Sequence, residues 1–315
     1  MTLTELKYIV AVARERHFGR AAEACFVSQP TLSVAIRKLE DELGVVLFER
    51  GGAEVGITPI GLRIVDQAQQ VLEEVANLRE IARQGHDPLE GALRVGIIHT
   101  IAPYLLPRLM PMQIKLTPQM PLLLQENFTA RLLELLRQGE IDCAIMALPL
   151  PDTGLVLRPL YDEPFQVAVP HKHPWAQRTT IDAEDLKKET MLLLGAGHCF
   201  RDQVLEVCPE LSRFSSASEG IQRTFEGSSL ETIRHMVSAG IGITVLPASA
   251  LSVPGPEHQL LTYVPFSEPV PDRRVVLAWR KSFPRQAAID ALSEAIACCE
   301  LPGVHYLAHE AEMTN

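Results

Sequence analysis

An all-α winged helix-turn-helix with a long linker helix, followed by an α/β region of two lobes, is the fold class that the sequence predicts. Three observations carry that expectation. Residues 1–58 place apolar side chains at helical spacing, broken by well-capped turns, and then show two short extended segments around a Gly51-Gly52 turn. One helical pattern runs from Pro59 to about Gln84. Beyond residue 89, short apolar runs of β character alternate with helical stretches, as parallel α/β architecture requires. The boundaries that follow are 1–58 for the winged helix-turn-helix, 59–88 for the linker helix and hinge, 89–302 for the α/β region and 303–315 for a polar tail. Within the α/β region, about 89–162 and 266–302 form the first lobe and about 163–265 the second.

Leu3, Leu6, Ile9, Val10 and Ala13 keep the spacing of a helical face. The next segment, Gly19 to Phe26, is rich in alanine, whose small side chain lets another helix cross closely. A third begins at Ser28, a good N-cap, with Pro30 in the first turn, where the missing amide costs nothing. Leu32, Ile36 and Leu39 make its buried stripe, leaving Ser28, Gln29, Pro30, Thr31, Ser33, Arg37 and Lys38 to form an outer face. Short polar side chains near a helix N-terminus suit base edges in the major groove, and flanking cations suit phosphates. The alternative is a solvated face on an ordinary helical bundle. Residues 44–50 and 55–59 read as a wing, with Arg50 placed to reach phosphate or the minor groove. Thr58 then caps the long helix at Pro59. Leu62, Val65, Ala68, Gln69, Leu72, Val75, Ala76 and Leu78 give that helix an apolar seam, which pairing with a second copy or packing within the chain can bury.

The turn-rich stretch 85–91 reads as a hinge. Strands are expected at 92–98, 121–127 and 139–146, with a helix after each of the first two. Thr100 falls at a strand's carboxyl end, and Thr129 is expected to cap the helix 130–138. Ligands of such folds bind beyond the carboxyl ends of strands, so both hydroxyls are candidate site groups, though as helix caps they need no function. In the second lobe, 165–169 and 191–194 read as strands, 230–239 as a helix capped by Ser228 or Ser229, and 240–247 as a strand. The segment 274–280 returns beside the first lobe, a helix covers about 284–299, and residues 308–315 read as a frayed end.

The chemistry sits in 197–208. Cys199 follows a histidine and precedes Arg201 by two positions, and protonated histidine and arginine both favour thiolate. Cys208 lies nine positions on. In one helix, nine steps rise about 13.5 Å, whereas a disulfide needs Cα atoms about 4.4–6.8 Å apart. Pairing of the two would therefore require the segment to rearrange, making oxidation a conformational switch. Two unrelated buried thiols remain an alternative. Zinc held by His198, Cys199 and Cys208 lacks the usual paired ligand spacing. No metal and no cofactor is expected.

The whole composition bounds the rest. With 315 residues and 47% hydrophobic content, the chain can fill two or three domains. No secretory core opens it and no apolar run matches a membrane span, so the cytoplasm is the expected compartment, where thiols are kept reduced. The six cysteines are scattered. A net charge of −10 excludes a wholly basic nucleic-acid coat but not one local DNA-reading surface.

Residues 1–85 resemble the winged helix-turn-helix and linker helix of the LysR-type transcriptional regulators. The resemblance rests on Phe18 to Ala22, Val27 to Ser33, Leu39-Glu40, Leu43-Gly44, Leu47 to Arg50, Thr58-Pro59 and Gly61. It implies dimers, often paired into tetramers, on inverted-repeat sites in double-stranded DNA, association with the nucleoid and with RNA polymerase, and a two-lobed, periplasmic-binding-protein-like effector domain. Gly197 to Gln203 with Cys208, Ser229 to Thr232, and Gly242 to Pro247 are similar to the peroxide-sensing members of that family. By that resemblance Cys199 is the peroxidatic thiol and Cys208 the resolving thiol. Thr100, Thr129 and His198 shape a hydrogen peroxide pocket, with Asp202 and Arg274 as its outer support, and cellular dithiols reset the switch. Residues 212–222 carry extra polar side chains relative to the family pattern. The resemblance implies a stoichiometric sensor controlling antioxidant genes, not an enzyme. The competing readings are a LysR-type regulator of a small metabolite with ordinary cysteines, a thiol peroxidase with an appended DNA-binding domain, and a solute-binding module.

Overall fold

A computed structural model describes residues 1–49, 55–83, 89–151, 154–209, 224–227, 229–252, 260–307 and 313–314. It divides into two compact units, one of residues 1–87 with 282–284, the other of 88–281 with 285–315.

The first unit opens with α1 (Leu3–Glu15). Thr2 and Glu5 form a reciprocal capping box there: the Glu5 amide donates to Thr2 Oγ1 (3.2 Å) and the Thr2 amide to Glu5 Oε2 (2.7 Å). In α2 (Phe18–Ala24), Ala21 and Ala22 are buried where the helices cross. Helix α3 (Gln29–Leu43) starts where the Thr31 amide donates to Ser28 Oγ (3.3 Å) and stops at Gly44, whose φ of +68° lies in the left-handed region. Leu32, Ile36 and Leu39 are fully buried in the core of this unit. The wing is the antiparallel pair β1 (Phe48–Glu49) and β2 (Gly56–Ile57). Its tip, including Arg50, lies outside the described residues, as does 85–88 of the expected hinge.

Thr58 Oγ1 donates to the Val46 carbonyl (2.8 Å) and accepts from the Gly61 amide (2.9 Å), so it joins the wing to the start of α4 (Pro59–Arg83). Gly61 is required there: a Cβ would lie 2.3 Å from the Leu47 carbonyl oxygen. The seam of α4 divides. Ala68 is buried, and Ile64, Val65 and Leu72 pack on the unit's own core, whereas Leu62 and Leu78 remain exposed.

The second unit is α/β. Strands β3 (Leu93–Ile98), β4 (Leu122–Asn127) and β5 (Cys143–Ala147) are parallel, in the order β4-β3-β5. Helices α5 (Ala102–Leu116) and α6 (Thr129–Arg137) connect them. The sheet continues through an antiparallel strand of nine residues at Asp272–Arg280 to β6 (Leu155–Pro170), which has sixteen. The sequence predicts a strand only at 165–169. Instead one strand serves both lobes: to Pro164 it pairs with Asp272–Arg280, and from Phe165 it pairs with Thr244–Pro247 and Leu261–Pro265. That switch of partners is what holds the lobes together.

The second lobe adds β7 (Met191–Leu194), parallel to β8 (Thr224–Gly227), then α7 (Cys199–Val207) and α8 (Leu230–Ser238), and in chain order β9 (Thr244–Pro247), β10 (Leu261–Pro265) and β11 (Asp272–Arg280). Ser229 caps α8 by accepting from the Thr232 amide (3.1 Å). Helix α9 (Gln286–Ala297) closes the first lobe. Within the tail expected to be frayed, Met313 and Thr314 pair with Leu157 and Val156 of β6. Among the described residues, no helix is long and apolar enough to cross a membrane.

Candidate functional site

Strand β7 ends at Leu194, and 195–198 carry the chain to α7, whose first helical residue is Cys199. Gly197 makes this turn with φ +97°, a conformation an L side chain rarely adopts. Cys199 is half-buried and His198 is buried. The first turn of a helix exposes amide N–H groups and a positive dipole end, so Cys199 Sγ sits where negative charge is favoured. The His198 side chain makes no capping bond to the helix. A cleft of about 170 Å³, counted out to its open mouth, lies over the thiol. Its walls come from the loops after three strands: Thr100 after β3, Phe128 and Thr129 after β4, and Gly197 to Cys199 after β7. Lobe I thus supplies the hydroxyls and lobe II the sulfur.

The two threonines differ from the expectation and from each other. Thr129 is not a cap. Phe128 holds the N-cap position and Thr129 is the first residue of α6, so its hydroxyl is not spent on the helix. Thr129 Oγ1 is buried and has no hydrogen-bond partner among the described residues. A buried hydroxyl without a partner costs free energy, and a small polar ligand in the cleft would relieve that cost. Thr100 Oγ1 accepts a bond of 2.9 Å from Arg273 Nη1, while Arg273 Nη2 donates to the Thr100 carbonyl (3.0 Å).

Arg273, the neighbour of the expected Arg274, is the arginine that bonds Thr100. It is fully buried with Glu163, at 2.7 Å. Glu163 uses its other oxygen to accept from the Ser249 amide (2.8 Å), and the Arg273 guanidinium lies 5.0 Å from the centre of the Phe200 ring in α7. One cation therefore ties Thr100, the switch-point strand β6 and the thiol helix together. Arg274, the expected support, sits on the opposite face of β11 and pairs with Asp162 (2.7 and 2.9 Å). The registers Arg273↔Glu163 and Arg274↔Asp162 are adjacent, so alternation sends the two pairs to opposite sides of the sheet. Arg274 lines a separate groove of about 1420 Å³, not the cleft. Asp202 does not join the site either: it is exposed and absent from the cleft wall, because the cleft caps the end of α7 and not its side. Arg201 donates to the Leu194 carbonyl (2.7 Å), bracing the turn before the helix.

Helix α7 has Cys199 at one end and Cys208 just past the other, buried in the second lobe's core. Phe200 and Val204 are buried on its inner face, Phe200 edge-on to Phe165 at 5.1 Å. Gln203 reaches out of the lobe to donate to the Leu148 carbonyl beyond β5 (2.7 Å). All six cysteines are free thiols. Burial pushes the Cys143 thiol well above its ordinary range and the Cys299 thiol up to about 11. Among the described residues, no cluster of three or more His, Cys, Asp or Glu side chains could hold a metal ion.

In the first unit, Ser28, Gln29, Pro30, Thr31, Arg37 and Lys38 are exposed and Ser33 is half-exposed. Three buried apolar residues at i, i+4 and i+7 leave that opposite face free, and its side chains suit groove edges and phosphates.

A helix-turn-helix unit joined to a two-lobed α/β unit defines a ligand- or signal-responsive DNA-binding regulator. The comparisons agree: residues 3–62 match the bacterial regulatory helix-turn-helix protein, lysR family, and residues 86–298 the LysR substrate binding domain. The chain belongs to the LysR family of transcriptional regulators. Within that family it is 44% identical over 296 residues to the DNA-binding transcriptional dual regulator OxyR of Escherichia coli, across 94% of this chain and 95% of the relative. The structure resembles full-length OxyR C199D from Pseudomonas aeruginosa, with a TM-score of 0.78, 50% identity and 99% of each chain covered. It also resembles a hydrogen peroxide-bound OxyR mutant of Corynebacterium glutamicum, with a TM-score of 0.62, 34% identity, and 95% of this chain and 92% of that chain covered.

Proposed function

We propose that the chain is a transcriptional regulator switched by hydrogen peroxide through Cys199 and Cys208. The observation that carries this reading is the cleft itself: a cysteine at a helix N-terminus lines it together with two threonines, and the hydroxyl of one, Thr129, is buried without a partner among the described residues. Relatives named hydrogen peroxide-inducible genes activator support it.

Cys199 thiolate attacks one oxygen of the peroxide. An S–O bond forms, the O–O bond breaks, and the departing hydroxide takes a proton and leaves as water. Thr129 and Thr100 orient the peroxide, with Arg273 fixing Thr100, and His198 walls the cleft. Cys208 thiol then attacks the sulfenic sulfur, so that an S–S bond forms and a second water leaves. An α7 of nine residues separates the two cysteines by about 13.5 Å of helical rise, so the bond requires the helix to melt. Melting breaks the Gln203–Leu148 bond and withdraws Phe200 from Arg273, which alters how one lobe rests on the other. The altered lobes bias the arrangement of subunits, as dimers or tetramers, and so the spacing of the paired recognition helices on inverted-repeat DNA. Cellular dithiols reduce the bond and reset the protein, which acts stoichiometrically and not as an enzyme. Ser28, Gln29, Pro30, Thr31 and Ser33 read or position the duplex, and Arg37, Lys38 and Arg50 hold phosphates. Contact with RNA polymerase at antioxidant genes, in the cytoplasm on the nucleoid, completes the reading.

A metabolite-responsive regulator is a second reading, favoured by the groove that Gln203, Arg273 and Arg274 help to line. Peptide mapping of reduced protein before and after a near-stoichiometric peroxide pulse separates the two. A Cys199–Cys208 cross-link removed by dithiol, with an altered DNA footprint, is expected. Unmodified cysteines in protein that still binds DNA would leave only the metabolite reading.

A further inference from the structure

Three rings that the thiol chemistry does not require close on one another at the cleft. Phe128 meets His198 edge-to-face with centroids 4.8 Å apart, His99 meets Phe128 at 5.2 Å, and His99 meets His198 at 5.8 Å. All three pairs are near-perpendicular, with interplanar angles of 71°, 74° and 65° respectively, the geometry in which a ring edge meets a ring face favourably. The cluster is braced. His99 Nδ1 lies 3.4 Å from Glu126 Oε2 on the neighbouring strand β4. Phe128 lies over Gly197, where even a Cβ would come within 3.4 Å of Phe128 Cδ1. Phe128 and His99 come from lobe I and His198 from lobe II, so the rings that help to line the cleft meet across the two lobes.

Size is what such a lining can discriminate. Hydrogen peroxide is little larger than a water molecule, whose share of liquid volume is about 30 Å³. The three rings are already in contact, with Phe128 (40% exposed) and His99 the outer ones and His198 buried, so a branched alkyl group entering past them would have to displace an outer ring. We propose that the His99–Phe128–His198 cluster is a size filter that admits hydrogen peroxide to Cys199 and excludes alkyl hydroperoxides, with Phe128 as the specificity-determining residue. The proposal rests on the reading of Cys199 as the peroxide-reactive thiol. The chemistry is the same for either oxidant: the S–O bond forms, the O–O bond breaks, and water or an alcohol leaves with the proton.

The test uses full-length reduced protein and follows Cys199 oxidation by intact mass, with hydrogen peroxide and with tert-butyl hydroperoxide. Wild type, Phe128→Ala, Phe128→Leu and His99→Ala are compared as the ratio of the two rate constants. Wild type is expected to favour hydrogen peroxide strongly. Phe128→Ala shifts the ratio toward tert-butyl hydroperoxide by about tenfold or more, the scale on which a hydrophobic wall distinguishes substrates by size. Phe128→Leu, which keeps most of the bulk, and His99→Ala, which removes one brace, shift it less. A wild-type ratio near unity, or a ratio unmoved in Phe128→Ala, overturns the filter while leaving peroxide sensing intact. Failure of hydrogen peroxide itself to oxidise wild-type Cys199 overturns the functional reading and the filter with it.

Discussion

Helices α3 and α7 are both amphipathic, and the chain finishes their ends in opposite ways. Helix α3 has fifteen residues, a serine cap at its start and a left-handed glycine at its end, over three fully buried aliphatic side chains. Helix α7 has nine residues, no side-chain cap at its start, and Cys208 with φ −139° and ψ 85° in place of a glycine stop. Caps contribute about 1 kcal/mol each, and isolated helices shorter than about twelve residues are marginal in water. Helix α3 is therefore supported locally, as a groove-reading element needs to be. Helix α7 is supported by what it packs against, Phe200 on Phe165 and Arg273, and Gln203 on Leu148. A helix of that kind holds a thiol in place until a covalent bond requires otherwise.

The largest test of this contrast is Cys199→Ser. In wild type, peroxide should strip hydrogen-exchange protection from α7 while α3 keeps its own, and in Cys199→Ser neither should change. Equal loss in both helices would erase the distinction. Next comes Arg273→Ala, which leaves Glu163 buried without its cation, a loss of about 3–5 kcal/mol. Urea unfolding should show that cost in the α/β unit and not in the helix-turn-helix unit, and an unchanged midpoint would mean that the pair does not anchor the floor beneath α7.

Smaller effects compare the helices directly. Glu206→Gly, at an exposed position of α7, should cost about 1 kcal/mol and move the dithiol–disulfide equilibrium about fivefold toward disulfide. A redox titration against a dithiol buffer reads that shift. Ser28→Ala should cost α3 a similar amount, about 1 kcal/mol, and weaken DNA binding without moving the redox equilibrium. The smallest expected effect concerns thiols outside the switch. Burial raises Cys299 to about 11 and also raises Cys143, so both stay protonated at neutral pH and should alkylate far more slowly than exposed Cys298. Raising the pH from about 9 toward 11 should bring Cys299 into reaction as its folded-state proton is lost. Fast labelling of Cys143 at neutral pH would contradict its burial.

Much of the fold was legible because its signals are local. Ser28, Thr58 and Ser229 each cap by accepting from an amide three residues on, and the sequence predicts all three helix starts, with Ser228 as an alternative only at the third. Thr129 was read one position wrong. Which residue first adopts helical torsions depends on where β4 lets go of the sheet, and that is not written in the threonine. Thr100, Thr129, His198 and Cys199 meet because strand ends of a parallel sheet lie together, which the alternation of elements already implied. His99, Phe128, Glu163 and Arg273 were not singled out. A phenylalanine after a strand and an arginine beside another arginine look like ordinary surface or core until their neighbours are known.

The sequence by itself determined the helix-turn-helix face, the alternation of strands and helices in the first lobe, and the two cysteines at the ends of one helix. These depend on periodicity and on contacts a few residues long. Tertiary structure alone decided which arginine bonds Thr100. Val275 to Trp279 of β11 are buried on both faces, so alternation offers no polar side by which to tell Arg273 from Arg274. Pairing with Glu163 and Asp162, more than a hundred residues earlier in the chain, made the choice, and only cross-strand register can make it.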